Sequence, residues 1–147
     1  MTDVTIRPLA PGDRESWRQL WKAYLAFYET EKPEEVYETT WSRLMTQGED
    51  PHGLCAVDGS GRLVGIVHYI FHRSCWLIGP TCYLQDLYAD PSVRGQGVGR
   101  KLIEAVYRAA DGAGADAVYW LTQDFNTTAR RLYDRIGKVT PFIKYVR

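Results

Sequence analysis

Hydrophobic positions change period several times along the chain, and each change marks an element. VTIRPL at residues 4–9 alternates, as a short strand does. After APGD, the residues Trp17, Leu20, Trp21, Tyr24, Leu25 and Tyr28 recur at i, i+3, i+4 and i+7, which predicts a helix. Pro33 with Glu34 and Glu35 marks a second helix start, and Val36, Tyr37, Trp41, Leu44 and Met45 supply its apolar face. QGEDPHG at 47–53 is a loop. Residues 54–58 and 62–71, joined through GSG, read as a β-hairpin. GPT breaks the chain before CYLQDLYAD, a buried strand at 82–90. A glycine-rich segment and a helix to about residue 111 follow. Further along come a strand at 116–123, a helix at 126–137 stopped by Gly137, and a last strand at 142–146. The order β α α β β β α β α β predicts an α/β fold, with a mixed central sheet flanked by about four helices. No repeat, low-complexity segment or linker interrupts it, so residues 1–147 are expected to form one domain.

Composition narrows the function. The 147 residues are 45% hydrophobic and 13% aromatic, enough for a sizeable core. Lys+Arg and Asp+Glu both total 18, which argues against a broad polyanion-binding surface and hence against a nucleic-acid partner, while leaving room for a local basic patch. Cys55, Cys75 and Cys82 form no C-x-x-C pair and suggest reduced thiols in a cytoplasmic protein. No signal pattern opens the chain and no apolar run is long enough to span a membrane, so neither membrane nor export is expected. His52, His68 and His72 lack metal-ligand spacing, and no metal is expected; His68 and His72 read as structural or rim residues.

The candidate chemistry starts at DPSVRGQGVGRKLIEAV, residues 90–106. Three glycines in five residues precede an apolar helix, where glycine is costly unless bare backbone is needed. Gly95, Gly97 and Gly99 let a ligand approach the unpaired N–H groups of a helix start, and Arg94, Arg100 and Lys101 add positive charge. This suits a pyrophosphate. The segment is neither a P-loop nor a full dinucleotide fingerprint. Taken alone, it also fits a glycine-rich helix entry with no ligand.

Arg94-x-x-Gly97-x-Gly99 resembles the Q/R-x-x-G-x-G/A motif of the GNAT superfamily of N-acetyltransferases. The resemblance covers nearly the whole chain, because the element order matches too, and it implies that the mixed central sheet is mainly antiparallel. It implies acetyl-CoA as cosubstrate, with its pyrophosphate on the amides around Arg94, Gly95, Gln96, Gly97, Val98, Gly99 and Arg100. A second signature, N-x-x-A-x-x-L-Y, spans Asn126, Ala129, Leu132 and Tyr133. Asn126, Ala129, Arg130 and Tyr133 share one helix face by spacing. The bland reading makes Asn126 an N-cap and Tyr133 a core residue. The resemblance implies that Asn126, Ala129 and Arg130 contact the cofactor and that Tyr133 is the general acid beside the thioester sulfur.

By the same resemblance two central strands splay, and the cofactor adds to one of them through backbone bonds at Leu87, Tyr88 and Ala89. An amide near Leu87 or Tyr88 would face the developing oxyanion. YLQDLYAD looks like the YLEDF strand of diamine (spermidine/spermine-type) acetyltransferases, which carry Glu where this chain has Gln85, while the ending after Gly137 more closely resembles the histone-polyamine type. Gln85 cannot accept a proton as a base. Asp86 matches a substrate-contacting acid and is expected on the opposite face from Gln85; it either binds the amine, helps deprotonate it through water, or is a strand-end acid paired with a base. By the resemblance the first two helices and their connection line the acceptor site, so Glu29 is expected there in an acidic rim at 29–38, with Tyr24, Tyr28 and Tyr37 nearby; this rim either attracts a cationic amine or simply suits a helix start. The cysteines show no Cys-His pairing and read as structural.

The expected function is acetyl transfer from acetyl-CoA to a primary amine of a small molecule. Acetylation of a protein lysine or N-terminus, and a CoA-binding module without turnover, are the alternatives. A single short strand after Gly137 would leave a bare sheet edge, which predicts a homodimer that covers it.

Overall fold

A computed structural model describes residues 3–147. The elements run β1 (Thr5–Pro8), a 3-10 turn (Pro11–Asp13), α1 (Arg14–Phe27), α2 (Glu34–Leu44), β2 (His52–Val57), β3 (Leu63–His72), β4 (Thr81–Ala89), a second 3-10 turn (Pro91–Val93), α3 (Val98–Gly112), β5 (Ala117–Tyr119) and α4 (Thr127–Ile136). The five strands form one sheet in sequence order; β1 to β4 pair antiparallel and β4 pairs β5 in parallel. This is the mixed sheet with flanking helices that the element order predicts, mainly antiparallel as the resemblance implies.

Each face of the sheet has its own core. On one side α3 lays Val98, Leu102, Ile103, Val106 and Ala110 against Val64, Val67, Tyr69, Cys82 and Leu84. On the other, α1 and α2 bring Trp17, Leu20, Trp21, Leu25, Tyr37 and Trp41 over Cys55, Ile66 and Tyr88. Burial on both faces explains why β3 is apolar almost throughout rather than alternating. Fully burying a large apolar side chain is worth about 1.5–3 kcal/mol, so these two layers dominate stability. Gly65 keeps them close: a Cβ there would lie 3.1 Å from the side chains of both Leu102 and Val98. At the start of α1 the buried Asp13 is satisfied by Arg7 (2.7 and 3.0 Å) and the Ala10 N–H (2.7 Å). The Arg7 hydrogen bond, first among several causes, holds its carboxyl below the usual carboxylate range.

Three expectations change. Residues 142–146 are not a strand: the segment after Gly137 is irregular and leaves Phe142, Ile143, Tyr145 and Val146 exposed, because it finds no strand to pair with. The strand expected at 116–123 is only Ala117–Tyr119 long. Its parallel pairing with β4 stops there, and the rest of its apolar pattern faces cavities instead of a ladder. Alternation also fails within β4. Tyr69 lies opposite Leu84 and His68 opposite Asp86, so Gln85 is the extra residue of a β-bulge. Cys82 and Leu84 pack toward α3, whereas beyond the bulge Tyr88 packs toward α1 and Asp86 faces His68. One inserted residue thus moves Asp86 to the α1 side.

Candidate active site

The glycine segment becomes a helix entry left open for a ligand. Asp90 ends the strand region and closes the Pro91–Val93 turn by accepting from the Ser92 amide (2.9 Å) and hydroxyl (2.7 Å). These bonds from Ser92 are the main reason its carboxyl sits below the ordinary range. Gly95 and Gly97 adopt φ of +79° and +81°, a region that side chains other than glycine disfavour. A Cβ at either would meet nothing within 4 Å, so backbone conformation rather than crowding demands glycine. Gly97 is the N-cap of α3 and offers no side chain to the helix. The first bond back into it is Lys101 N–H to the Gly97 carbonyl, 3.0 Å. The N–H groups of Val98, Gly99 and Arg100 therefore have no carbonyl one turn earlier. Gly99 is ordinary helix, and a Cβ there would sit 3.7 Å from Leu132, a comfortable contact that fits the G/A choice in the motif. Arg94 holds its guanidinium 5.6 Å from the Tyr88 ring centroid and 6.0 Å from that of Phe27; Arg100 lies 3.7 Å from Glu104.

The sheet forks beside this loop. β5 pairs with β4 only over Thr81–Tyr83, so the edge of Leu84 to Ala89 that faces away from β3 has no strand partner among the described residues. Leu87, Tyr88 and Ala89 lie on this free edge, which leads toward the α3 start. An extended ligand with an anionic end fits these two features together, one offering backbone bonds and the other uncapped amides. At the fork a narrow cavity of about 20 Å³, room for about one water, is lined by Tyr24, Tyr28, Gln85, Leu87 and Tyr133 among others. A larger cavity of about 830 Å³ is bordered by Tyr83, Tyr119, Arg130 and the segment around Phe142. Tyr133, Trp120 and Leu121 border both.

α4 carries the second motif. Asn126 is its N-cap, accepting from the Ala129 amide at 3.3 Å, which leaves the side-chain NH2 to donate outward. Arg130 donates to the Asp124 carbonyl at 2.7 Å and so braces the loop before the helix. Tyr133 packs edge-on to Trp120 (5.5 Å between centroids). Burial, and then the charge of Tyr28, raises its phenol to about 12. At neutral pH its oxygen therefore holds a proton.

On the opposite side of the fork, Asp86 Oδ2 lies 2.8 Å from His68 Nδ1, and the Trp17 indole donates to His68 Nε2 at 2.9 Å. Burial, followed by the charge of Asp86 and a hydrogen bond to it, raises the Tyr24 phenol far above its ordinary value. Tyr28 and Tyr83 also feel the Asp86 charge. Glu29 stands on the exposed turn after α1 and lines neither cavity. Tyr37 is buried in the aromatic layer, with Arg18 4.6 Å over its ring, instead of at an acceptor rim. Burial pushes the Cys55 and Cys82 thiols up to about 11, which suits packing and not nucleophilic attack. His68 and Trp17 carry the site feature that periodicity does not reveal. The available signal was a histidine inside the buried run GIVHYIF, since a buried polar group needs partners.

Residues 15–137 match the Acetyltransferase (GNAT) family, and the chain belongs to that family. It is similar to the D-amino-acid N-acetyltransferase of Saccharomyces cerevisiae, with 38% identity covering 98% of this chain and 90% of that protein. It is also similar to the thialysine N-epsilon-acetyltransferase of Bos taurus, at 32% identity over 69% of this chain and 55% of the relative. Among solved structures, an aminoglycoside N-acetyltransferase in complex with CoA superposes with a TM-score of 0.83 at 20% identity, over 100% of this chain and 95% of that one; this shows the fold. The protein is an acetyl-CoA-dependent N-acetyltransferase.

Proposed function

We propose that this N-acetyltransferase acetylates a primary amine of a small cationic molecule, such as an amino acid or polyamine. The observation that carries this reading is the fork: the uncapped start of α3, the free edge of β4 and the protonated Tyr133 converge on it, with Asp86 at its side. The two curated relatives bear names for acetylation of D-amino acids and of thialysine, which supports a small amine as acceptor.

Acetyl-CoA supplies the acetyl group activated as a thioester. In this chain the amides of Val98, Gly99 and Arg100 hold its pyrophosphate, with Arg94, Gly95, Gln96 and Gly97 shaping the loop around it. Leu87, Tyr88 and Ala89 offer backbone bonds to its extended arm, and an amide at Leu87 or Tyr88 faces the carbonyl oxygen. Asn126, Ala129 and Arg130 form the other wall, where the Asn126 NH2 donates to the arm. Tyr133 Oη gives its proton to the departing sulfur. Asp86 binds the amine as an ammonium or takes its proton through water; Gln85 and Tyr28 border the reacting end, and Glu29 adds negative potential from the exposed turn.

The free edge of β5 and the exposed Phe142, Ile143, Tyr145 and Val146 support a homodimer that covers them. Three free cysteines are in keeping with a cytoplasmic protein.

The test is thiol release from acetyl-CoA against polyamines, D- and L-amino acids, thialysine, aminoglycosides and histone-tail peptides, with wild type and Tyr133→Phe. Turnover of a small cationic amine, lost in the variant while acetyl-CoA still binds, is the expected result. Turnover of peptides alone favours protein acetylation. Tight acetyl-CoA binding with no amine acetylated favours a CoA-binding module.

A further inference from the structure

Asp86 is served by a chain of buried groups that the reaction itself does not require. Trp17 and His68 are each 1% exposed. An indole nitrogen can only donate, so His68 Nε2, 2.9 Å away, is the acceptor of that bond. A neutral imidazole carries one N–H. Here it must sit on Nδ1, which therefore donates to Asp86 Oδ2 at 2.8 Å. Protonating the second nitrogen would set an N–H against the Trp17 N–H in a place closed to water, leaving two buried donors with no acceptor. Trp17 has no freedom to turn away, because its ring stacks on Trp21 at 5.4 Å and meets Trp41 at 5.0 Å.

The consequence falls on Asp86. Its imidazole partner brings a donor but no charge, and no lysine or arginine pairs with it among the described residues. The side chain keeps 13% of its surface exposed. Around it stand the phenols of Tyr24, Tyr28 and Tyr83, whose shifts all register its charge. Tyr24 and Tyr28 in turn line the narrow cavity that Tyr133 borders. The bulge at Gln85 makes the contact possible, since it brings Asp86 opposite His68 on the α1 side. An un-neutralised carboxylate held among aromatic rings is a receptor for an ammonium group.

We propose that Trp17 and His68 are positioning residues that fix the imidazole as its neutral Nδ1–H form, and thereby keep Asp86 an oriented anion that selects a cationic acceptor amine. This rests on the acetyl-transfer reading above, and deepens it by assigning acceptor selection to three residues on three different elements.

Two measurements test it. Long-range ¹H–¹⁵N spectra of wild type at neutral pH should show His68 as a single neutral tautomer protonated on Nδ1. An Nε2–H tautomer or an imidazolium overturns the chain of bonds whatever the enzyme acetylates. Kinetics with the amine that turns over fastest in the panel come second. His68→Leu should raise KM for that amine about tenfold or more, as for a lost hydrogen bond to a charged group, while KM for acetyl-CoA stays within about twofold. His68→Asn, whose NH2 can stand where Nδ1–H stands, should recover most of that loss. If His68→Leu does not fold, Trp17→Phe against His68→Asn gives the same comparison, with the amine KM raised in the first and held near wild type in the second. An amine KM unchanged in a folded His68→Leu enzyme overturns the inference alone. A wild type that turns over no amine overturns the function reading and the inference together.

Discussion

The two ends of the sheet are built to different standards. Around β1 to β4, α1 and α2 bury four aromatic rings of their own beside Tyr88 of β4, and the buried Asp13 and His68 have partners. Around β5, α4 contains no fully buried residue, the strand is three residues long, and Phe142, Ile143, Tyr145 and Val146 stand in solvent. Yet the candidate acid, Tyr133, belongs to the loose end, while Asp86 belongs to the tight one. On the proposed reading, the acceptor side is held by packing that exists before any ligand arrives, whereas the thioester side relies on one lightly packed helix. This division suits an enzyme that must admit and release a long cosubstrate on one side while keeping a carboxylate aimed on the other.

The sharpest way to break this comparison is to damage the tight end. Trp41→Ala removes a 6%-exposed ring that meets Trp17, and should cost about 3–5 kcal/mol, lowering the thermal midpoint by about 10 °C or more in calorimetry. A small change would mean that the aromatic layer relaxes and is no tighter than the β5 end. Tyr133→Phe comes next: on the proposed reading the phenol supplies a proton, so kcat should fall about a hundredfold or more, with little change in melting because the ring is kept. The sign of the pH dependence follows from its raised value. The phenol is protonated throughout the neutral range, so it contributes no alkaline loss of kcat until pH approaches about 12. Its linkage contribution to stability is complete below its unfolded value near 10 and is lost as pH rises through about 12. An alkaline limb near pH 8 that disappears in the phenylalanine variant would contradict this.

Gly97→Ala should cost about 1–2 kcal/mol, read by chemical denaturation, since the left-handed φ of +81° is retained although space for the methyl exists. Its KM for acetyl-CoA should rise while the amine KM holds, which places the effect on the cosubstrate side. Smallest of all, Phe142→Ser should move monomer stability by no more than about 0.5 kcal/mol, because the ring is 77% exposed. Light scattering at micromolar concentration decides what that exposure means. A dimer in wild type that dissociates in the variant shows the loose end to be completed by a second copy, and a monomer in both removes the dimer from the proposal.

Much of this could be read from the chain because period carries information where burial is one-sided or complete. The stripes of α1 and α3, the buried run of β3 and the glycines at 95 and 97 each map onto one physical demand. The short β5 could not be foreseen from DAVYWLTQ, since whether an apolar alternation becomes a ladder depends on a neighbouring strand that diverges after Tyr83. Residues 142–146 failed for the same reason. The candidate site could be proposed from sequence at Tyr133, Asn126 and the glycine loop, where motifs are local. It was opaque at His68 and Trp17, which lie 51 residues apart and meet only through the sheet. The bulge that turns Asp86 toward them is a property of pairing and leaves no mark in a one-strand pattern.

The fork between β4 and β5 also works as a ruler. Its open edge runs from Leu84 to Ala89, six residues at roughly 3.3 Å each, or about 20 Å from apex to glycine loop. At the apex the Tyr83 and Tyr119 rings stack 4.8 Å apart. Beside them lies the larger cavity of about 830 Å³, which both tyrosines border. An extended ligand can pair with β4 over that length and no farther, because up to Tyr83 the edge of β4 is taken by β5.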